Sequence, residues 1–407
     1  MKCQDCGKQF NPNHPQASAS RGPKCNQKYL SGLFLPDYVS EVASRIKDHD
    51  VYLVGGSVRD FVLGKKPKDF DLATSASKEE LETIFPESDP VGKSFGVFKV
   101  PANGDIVEVG SFRKDGLYAD GRRPEEIENG TIEDDVQRRD FTINGMFFDL
   151  KKKSIVDKVG GLEDIKNKTI RAIGNPDKRF QEDYLRMIRA LRFMVVLDFK
   201  LEDKTKDSIL RNLENVKQIP KERIKVEIDK IFSSPNFHNK IDEFQELGFF
   251  KKLFNKDVDT QYLKVKKPTG LYVYSECLDS EEDMRKFKFS LDEIKAFKKI
   301  KEVERDLCGF EKLSKSQKNK LGYFLTLEGL NFSKTKHISE IEFTLNELKK
   351  NPIDTSLFTS GQELVSLGFQ PGKEIGSIIS ELEEAVFGRT VASKDAKMAF
   401  LVSKKKL

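Results

Sequence analysis

The chain has 407 residues, room for two or three domains at about 150 residues each, and its 37% hydrophobic and 34% charged content is too apolar for a mostly disordered protein. Lys and Arg number 71 against 66 Asp and Glu, so the net charge of +5 excludes a uniformly basic, histone-like protein while leaving room for a local basic face. No apolar run nears the roughly 20 residues that span a membrane, and MKCQDCGKQF lacks an apolar signal core. The 5 cysteines, an odd number with two far from the rest, argue for a reducing, cytoplasmic setting over a disulfide scaffold.

Residues 1–30 are polar and show no periodicity. Cys3-x-x-Cys6-Gly-Lys with Cys25 is half of a small zinc site. No cysteine follows between Asn26 and Tyr29, so His14 is the candidate fourth ligand for Zn²⁺, and a degenerate arm is the alternative. Apolar residues at helical spacing then run from Leu33 to Ile46. VYLVGG (51–56) reads as a buried strand entering a tight turn, and SVRDFVLG (57–64) as a helix ended by Gly64. KDFDLAT (68–74) alternates as a second strand, and KEELETIF (78–85) is helical. FGVFKV (95–100) and DIVEVGSF (105–112) are further strands joined by a hairpin at Asn103-Gly104.

A polar, glycine-bearing loop follows from about Lys114 to Gly130, and residues 138–150 read as helix passing into strand. After Gly161 strand signals fade, and helices are expected at 179–198, 204–215, 220–232, 238–249, 291–308, 314–325, 336–350 and 374–386. The class is α+β: an N-terminal mixed-sheet head (31–155) followed by an all-helical neck (156–235), body (236–335) and tail (336–407), behind the arm 1–30.

Asp69 and Asp71 are one residue apart, and on a strand positions i and i+2 share a face. Paired carboxylates repel unless a cation lies between them, and an oxygen-only pair suits Mg²⁺. Two such ions can clamp the attacking and leaving oxygens of a phosphoryl transfer. Alone, an Asp-x-Asp is more often a solvent-exposed strand face. Upstream, however, Gly55-Gly56-Ser57 at a strand-to-helix turn lets backbone N–H groups approach a polyphosphate, and Arg59 adds a cation. Glu108, between two valines on a later strand, is either solvent-facing or a third metal-binding acid. Gly92-Lys93-Ser94 imitates the end of a nucleotide-binding P-loop, but Glu87 stands where that motif needs glycine.

These residues together resemble a known family. LVGGSVRDFVLGKKPKDFDLAT (53–74) is similar to the signature of class II tRNA nucleotidyltransferases and bacterial poly(A) polymerases, which share a polymerase-β-type nucleotidyltransferase head. Four more matching segments follow in order, at 133–144, 155–165, 170–193 and 220–228. The resemblance implies that Asp69 and Asp71 carry two Mg²⁺ ions, with Glu108 as a third carboxylate. It implies that Gly55, Gly56, Ser57 and Arg59 hold the triphosphate. Arg138, Arg139 and Asp140, supported by Asn144, would recognise the ribose, and Asp157 to Gly161 would be a flexible element between head and neck.

The resemblance further implies that Glu182, Asp183 and Arg186 form a protein template that selects the base. Asp183 and Arg186, three apart on an expected helix, would share a face. A carboxylate accepts from an exocyclic amine and a guanidinium donates to the neighbouring ring acceptor. Cytosine and adenine offer that pattern, whereas uracil and guanine present a carbonyl. Arg189 and Arg192 continue the same helical face, and an ordinary surface salt-bridge ladder is the plain alternative.

Head and neck do not separate CCA addition from poly(A) synthesis. The tail TSGQELVSLGFQPGKEIGSIISELEEAVFGR (359–389) is similar to that of CCA-adding enzymes. The loop from Arg113 to Asp135, with Gly116, Tyr118, Asp120, Arg122 and Arg123, resembles the flexible loop of complete CCA enzymes. The expected activity is therefore addition of C, C and A from CTP and ATP to the 3′ end of tRNA, with contacts to the acceptor–T arm and no membrane partner. Poly(A) polymerase, A-only or CC-only addition, and an inactive RNA-binding protein are the alternatives. The chain departs from the family at Asp198, where glycine is usual. Its 4 histidines, His14, His49, His238 and His337, give no expectation of a phosphohydrolase domain.

Overall fold

The computed structural model describes residues 35–89, 96–116, 127–258, 260, 270–308, 310–328 and 338–404. Cys3, Cys6, His14 and Cys25, the Gly92-Lys93-Ser94 stretch, and Tyr118, Asp120, Arg122 and Arg123 of the loop lie outside the described residues. The described residues up to 236, together with 247–253, form one compact unit; 237–246 and those from 254 onward form a second.

The first unit opens with α1 (Asp37–Arg45), β1 (Val51–Val54), α2 (Gly56–Val62), β2 (Asp71–Thr74), α3 (Lys78–Ile84), β3 (Val97–Ala102) and β4 (Asp105–Ser111). It continues with β5 (Arg113–Asp115), β6 (Ile127–Asn129), α4 (Ile132–Gln137), β7 (Phe147–Asp149) and β8 (Ser154–Val156). Six strands form a mixed sheet in the order β3-β4-β2-β1-β7-β8, in which only β2 and β4 run parallel. All four residues of β1 are buried, which is why it reads as an unbroken apolar run; β3 alternates because one of its faces meets solvent. One face of the sheet is closed by Tyr52, Val54, Ala73, Phe112, Val136 and Phe147. Asn103 (φ 50°) and Gly104 (φ 85°) supply the left-handed pair that turns β3 into β4.

Three local expectations are corrected. The second strand begins at Asp71, so Asp69 lies in the exposed lead-in rather than on the strand. Residues 142–144 make only a 3₁₀ turn before β7. The polar loop 113–129 has a paired base, since β5 and β6 are antiparallel with Arg113 opposite Asn129.

The unit continues through α5 (Gly161–Lys166), β9 (Thr169–Ile170), α6 (Pro176–Glu182), α7 (Leu185–Leu197), β10 (Lys200–Leu201), α8 (Asp203–Asn212) and α9 (Lys221–Phe232). Strand structure does not end at Gly161: β9 and β10 pair in parallel. The single helix expected over 179–198 is two helices, broken at Asp183, which is extended (φ −154°, ψ 106°). Its Oδ1 accepts from Leu185 N at 3.0 Å. That local bond offers the backbone an alternative to continuing the helix and opens α7 instead. Asp198 caps α7 in the left-handed conformation (φ 55°, ψ 49°), a position that favours glycine and that Asp tolerates, which explains the departure from the family pattern.

The second unit contains α10 (Phe237–Glu246) and, after α11 (Phe249–Phe254) of the chain's return to the first unit, the helices α12 (Gly270–Cys277), α13 (Glu281–Lys286), α14 (Leu291–Cys308), α15 (Lys315–Glu328) and α16 (Ile338–Lys350). It ends with α17 (Gly361–Ser366), α18 (Lys373–Phe387) and α19 (Lys394–Lys404). The last three enclose a core of Leu364, Ile378, Leu382, Val386 and Leu401. Lys397 is buried beside it, with Nζ donating to Glu363 Oε1 at 2.8 Å and to Phe358 O at 3.0 Å. The architecture is α+β, a mixed-sheet head with a helical remainder, and no helix among the described residues is long and apolar enough to cross a membrane.

Candidate active site

Gly55 sits between β1 and α2 at φ +70°, a conformation that side chains disfavour. A Cβ added there would lie 3.6 Å from Arg139 Nη1 and 3.8 Å from Asp71 Oδ2, so both groups border one point at the strand-to-helix turn. Ser57 does not open onto that point through its hydroxyl, which donates to Val54 O at 2.8 Å and closes the turn. Arg59 is likewise engaged. Its Nη1 donates to Asn144 Oδ1 at 2.8 Å, its Nε and Nη2 donate to Asp60 Oδ1, and its guanidinium covers the Phe193 ring at 5.1 Å.

Asp71 pairs with Glu108 in the register of the parallel strands. Burial first, then the charge of Glu108, with a smaller push from Asp69, raises the Asp71 carboxyl to about 6; Arg139 opposes the rise. The charges of these acids therefore meet at Asp71, the condition that a bound cation relieves. Glu108 is half-exposed and its Oε1 lies 3.6 Å from Lys99 Nζ. Among the described residues no cluster of three acidic, His or Cys side chains forms a complete metal cage. The oxygen-only donor set fits Mg²⁺, which keeps several waters and binds through one or two carboxylates plus substrate phosphates.

Behind this edge lies a chain of charged pairs. Asp140 is buried; its Oδ2 accepts from Arg189 Nε at 2.9 Å and Nη2 at 2.5 Å, and its Oδ1 accepts from Phe141 N and from Asn144 Nδ2 at 3.1 Å. Burial alone would raise the Asp140 carboxyl, but the charge and hydrogen bonds of Arg189, helped by Asn144, bring it down to about 2. Arg189 Nη1 also lies 3.8 Å from the buried Glu227 of α9, which pairs with Arg192 as well. The sequence from Glu227 through Arg189, Asp140 and Asn144 to Arg59 thus joins the helical neck to α2 by side chains alone.

Asp183 and Arg186 are adjacent but do not share a helical face, because the break falls between Glu182 and Leu185. Asp183 accepts from Arg223 of α9, with Nη2 at 2.8 Å and Nη1 at 3.3 Å. Arg186 donates through Nη2 to Arg138 O at 3.0 Å, and through Nη1 to Arg179 O at 2.9 Å and to Glu182. Glu182 pairs with Arg179 one turn earlier on α6 and, across the break, with Arg186 of α7; the Asp183 contact to Arg223 stands apart from both. Asp157 closes its own segment: its carboxylate accepts from the backbone N–H groups of Val159, Gly161 and Leu162.

Three residues at this site escape sequence reasoning. Asp135, Arg223 and Glu227 each hold an arginine or acid already singled out, yet each reads as a charged residue on an ordinary helix. All three lie inside the matching segments 133–144 and 220–228, but the resemblance attaches no role to them: Asp135 precedes Arg138 and Arg139 by one turn, and Arg223 and Glu227 are four apart on one helix face.

Residues 51–171 match the family model "Poly A polymerase head domain", and residues 198–261 match "Probable RNA and SrmB- binding site of polymerase A". The CCA-adding enzyme of Ligilactobacillus salivarius is 34% identical over 381 residues, covering 85% of this chain and 90% of that protein. The CCA-adding enzyme of Staphylococcus saprophyticus is 36% identical over 312 residues, covering 74% and 75%. Among solved structures, the Bacillus stearothermophilus CCA-adding enzyme in complex with CTP aligns with a TM-score of 0.64 at 25% identity, over 91% of this chain and 98% of that one. A sequence likeness that runs over 85% of the chain, together with a fold likeness over 91% of it, places this chain in the family of CCA-adding enzymes.

Proposed function

We propose that the chain adds C, C and A, from CTP and ATP, to the 3′ end of tRNA. The observation that carries this reading is the length of the likeness. It extends over 85% of the chain and so through the helical remainder, beyond the head and neck that do not separate CCA addition from poly(A) synthesis. The reaction is a nucleotidyl transfer that uses a divalent metal, which we assign as two Mg²⁺ ions held by Asp69 and Asp71, with Glu108 beside them. When bound, those ions would supply charge stabilisation to the attacking 3′ oxygen and the leaving pyrophosphate.

The remaining work falls to this chain's own groups. The turn at Gly55 and Gly56 leaves room for the triphosphate, with Arg139 at its border. Asp140, held ionised by Arg189, is an acceptor for a ribose hydroxyl, and Asn144 keeps its orientation. Asp183 accepts from the exocyclic amine of cytosine or adenine while Arg186 donates to the adjacent ring acceptor. A buried donor or acceptor left unmatched by uracil or guanine costs about 1–3 kcal/mol, tenfold or more in selectivity. In this reading 156–235 selects the base and, with 236–335 and 336–407, holds the acceptor–T arm by backbone shape, and the enzyme works in the cytoplasm where its substrates are.

The test is single-nucleotide incorporation into tRNA lacking its 3′ triplet, with Mg²⁺ and one labelled NTP at a time. CTP alone should extend that RNA by two residues, ATP alone should extend RNA ending in CC by one, and UTP and GTP should give none. Incorporation of ATP alone into the unextended RNA would overturn the reading.

A further inference from the structure

Asp135 is completely excluded from solvent. It lies on α4, whose start is fixed by a reciprocal capping box between Thr131 and Asp134. Its two oxygens serve different arginines. Oδ1 accepts from Arg138 Nε at 2.8 Å and Nη2 at 2.5 Å; Oδ2 accepts from Arg139 Nε at 3.0 Å and Nη2 at 2.8 Å. A buried carboxylate needs one compensating charge, and this one has two, so the group carries a net positive charge.

Arg139 is held on two sides. Its Nε–Nη2 edge is fixed by Asp135, and its planar face lies over the Phe147 ring at 4.8 Å. Its Nη1 donates to no group among the described residues, and it borders the turn at Gly55 beside Asp71 Oδ2. A guanidinium gripped along one edge presents its other N–H groups in a fixed direction, the geometry that suits a phosphate oxygen.

We propose that Asp135 is a positioning residue that aims Arg139 Nη1 at the polyphosphate of the incoming nucleotide. The proposal rests on the nucleotidyl-transfer reading above, and it moves Arg139 from ribose recognition to phosphate recognition. Arg138 shares the same carboxylate, with Nε and Nη2 both on Oδ1, and its backbone carbonyl accepts from Arg186 Nη2. Asp135 therefore couples phosphate binding to the base-reading helix through one buried group.

The experiment compares wild type, Asp135→Asn, Arg139→Gln and the double variant, with Asp135→Glu as a second variant that keeps the charge. Thermal melting first establishes which variants fold. Affinities for CTP and for pyrophosphate are then measured with Mg²⁺, alongside cytidine as a competitor that has no phosphate. Asp135→Asn and Arg139→Gln should each weaken CTP and pyrophosphate by about tenfold to a hundredfold, and leave cytidine unchanged. The double variant should be no worse than the weaker-binding single one, because both substitutions remove the same contact. Asp135→Glu should fall between wild type and Arg139→Gln, and it decides the matter if the Asn variant does not fold. Equal losses for cytidine and CTP, multiplying losses in the double variant, or unchanged pyrophosphate affinity would each overturn the positioning role. Those outcomes with a wild type that still incorporates C, C and A would leave the activity standing; a wild type that binds no CTP would sink both.

Discussion

Arg223 and Asp183 form an ion pair at 2.8 Å that crosses from α9 to the break between α6 and α7, joining residues 40 apart in the chain. The carboxylate that the template reading needs for the exocyclic amine is thus already oriented by a neighbouring guanidinium. Both of its oxygens accept from Arg223, and Oδ1 also accepts from the first backbone N–H of α7. In the proposed template role, an incoming base would meet an acceptor whose direction is set, which lowers the ordering cost of recognition.

Removing Arg223 should therefore damage selectivity more than chemistry. In Arg223→Ala, the ratio of kcat/KM for CTP to that for UTP should fall about tenfold, in line with one mismatched buried contact. A uniform loss for both nucleotides, with the ratio intact, would reduce Arg223 to a structural strut.

Asp71 should cost the empty enzyme stability. Its folded carboxyl titrates at about 6 against an ordinary 3.8, so the native state binds more protons between those values and stability falls as pH rises through them. Above about pH 6 the full penalty applies, at most about 3 kcal/mol for a shift of this size. Asp71→Asn should then unfold at higher denaturant than wild type at pH 7.5 in chelator, with the gap closing below about pH 4, and should lose incorporation. An Asn variant less stable than wild type at pH 7.5 would contradict the electrostatic account of the site.

Asp140 carries the opposite sign. Its folded carboxyl is brought down to about 2, so its pairing with Arg189 contributes stability above the ordinary 3.8 that is lost as pH falls from about 4 toward 2. Breaking this buried pair with Arg189→Met should destabilise the protein by about 3–5 kcal/mol in urea at pH 7. The difference from wild type should shrink below pH 4; a difference independent of pH would assign it instead to the lost contact of Arg189 over the Phe193 ring, 5.8 Å from its centre.

Asp69 lies outside the strand, exposed, and its removal should spare the fold. Asp69→Ala should abolish incorporation while tRNA affinity changes less than about threefold, because RNA is held largely by backbone contacts elsewhere. Loss of RNA binding together with a lowered melting temperature would point to misfolding rather than to a metal-binding role.

The sheet was legible because its signals are local. The apolar run of β1, the Asn103-Gly104 turn and the alternation of β3 and β4 each report burial or backbone shape within a few residues. The strand positions of the residues proposed to face the metal were legible for the same reason: Gly55, Asp71 and Glu108 sit at ends or between valines of recognisable strands. The break at Asp183 was not, since the EDYLRMI stretch has neither glycine nor proline and its apolar spacing runs through the gap. Only the carboxylate bond to Leu185 N ends the helix, and an Asp at that place is the one available sign. Asp135 and Glu227 were hidden more deeply, because burial of an acid depends on arginines that tertiary packing brings to it, and a helical sequence shows no difference between a paired buried acid and a solvated one.

The proposed activity of this constellation is to build a defined triplet and stop. The direct measurement is to give the purified enzyme tRNA lacking its 3′ end, Mg²⁺, CTP and ATP together, and to sequence the extended 3′ ends. The account predicts products that end in CCA with no further residues. Long A tails, products that stop at CC with ATP present, or no extension despite RNA binding would contradict it.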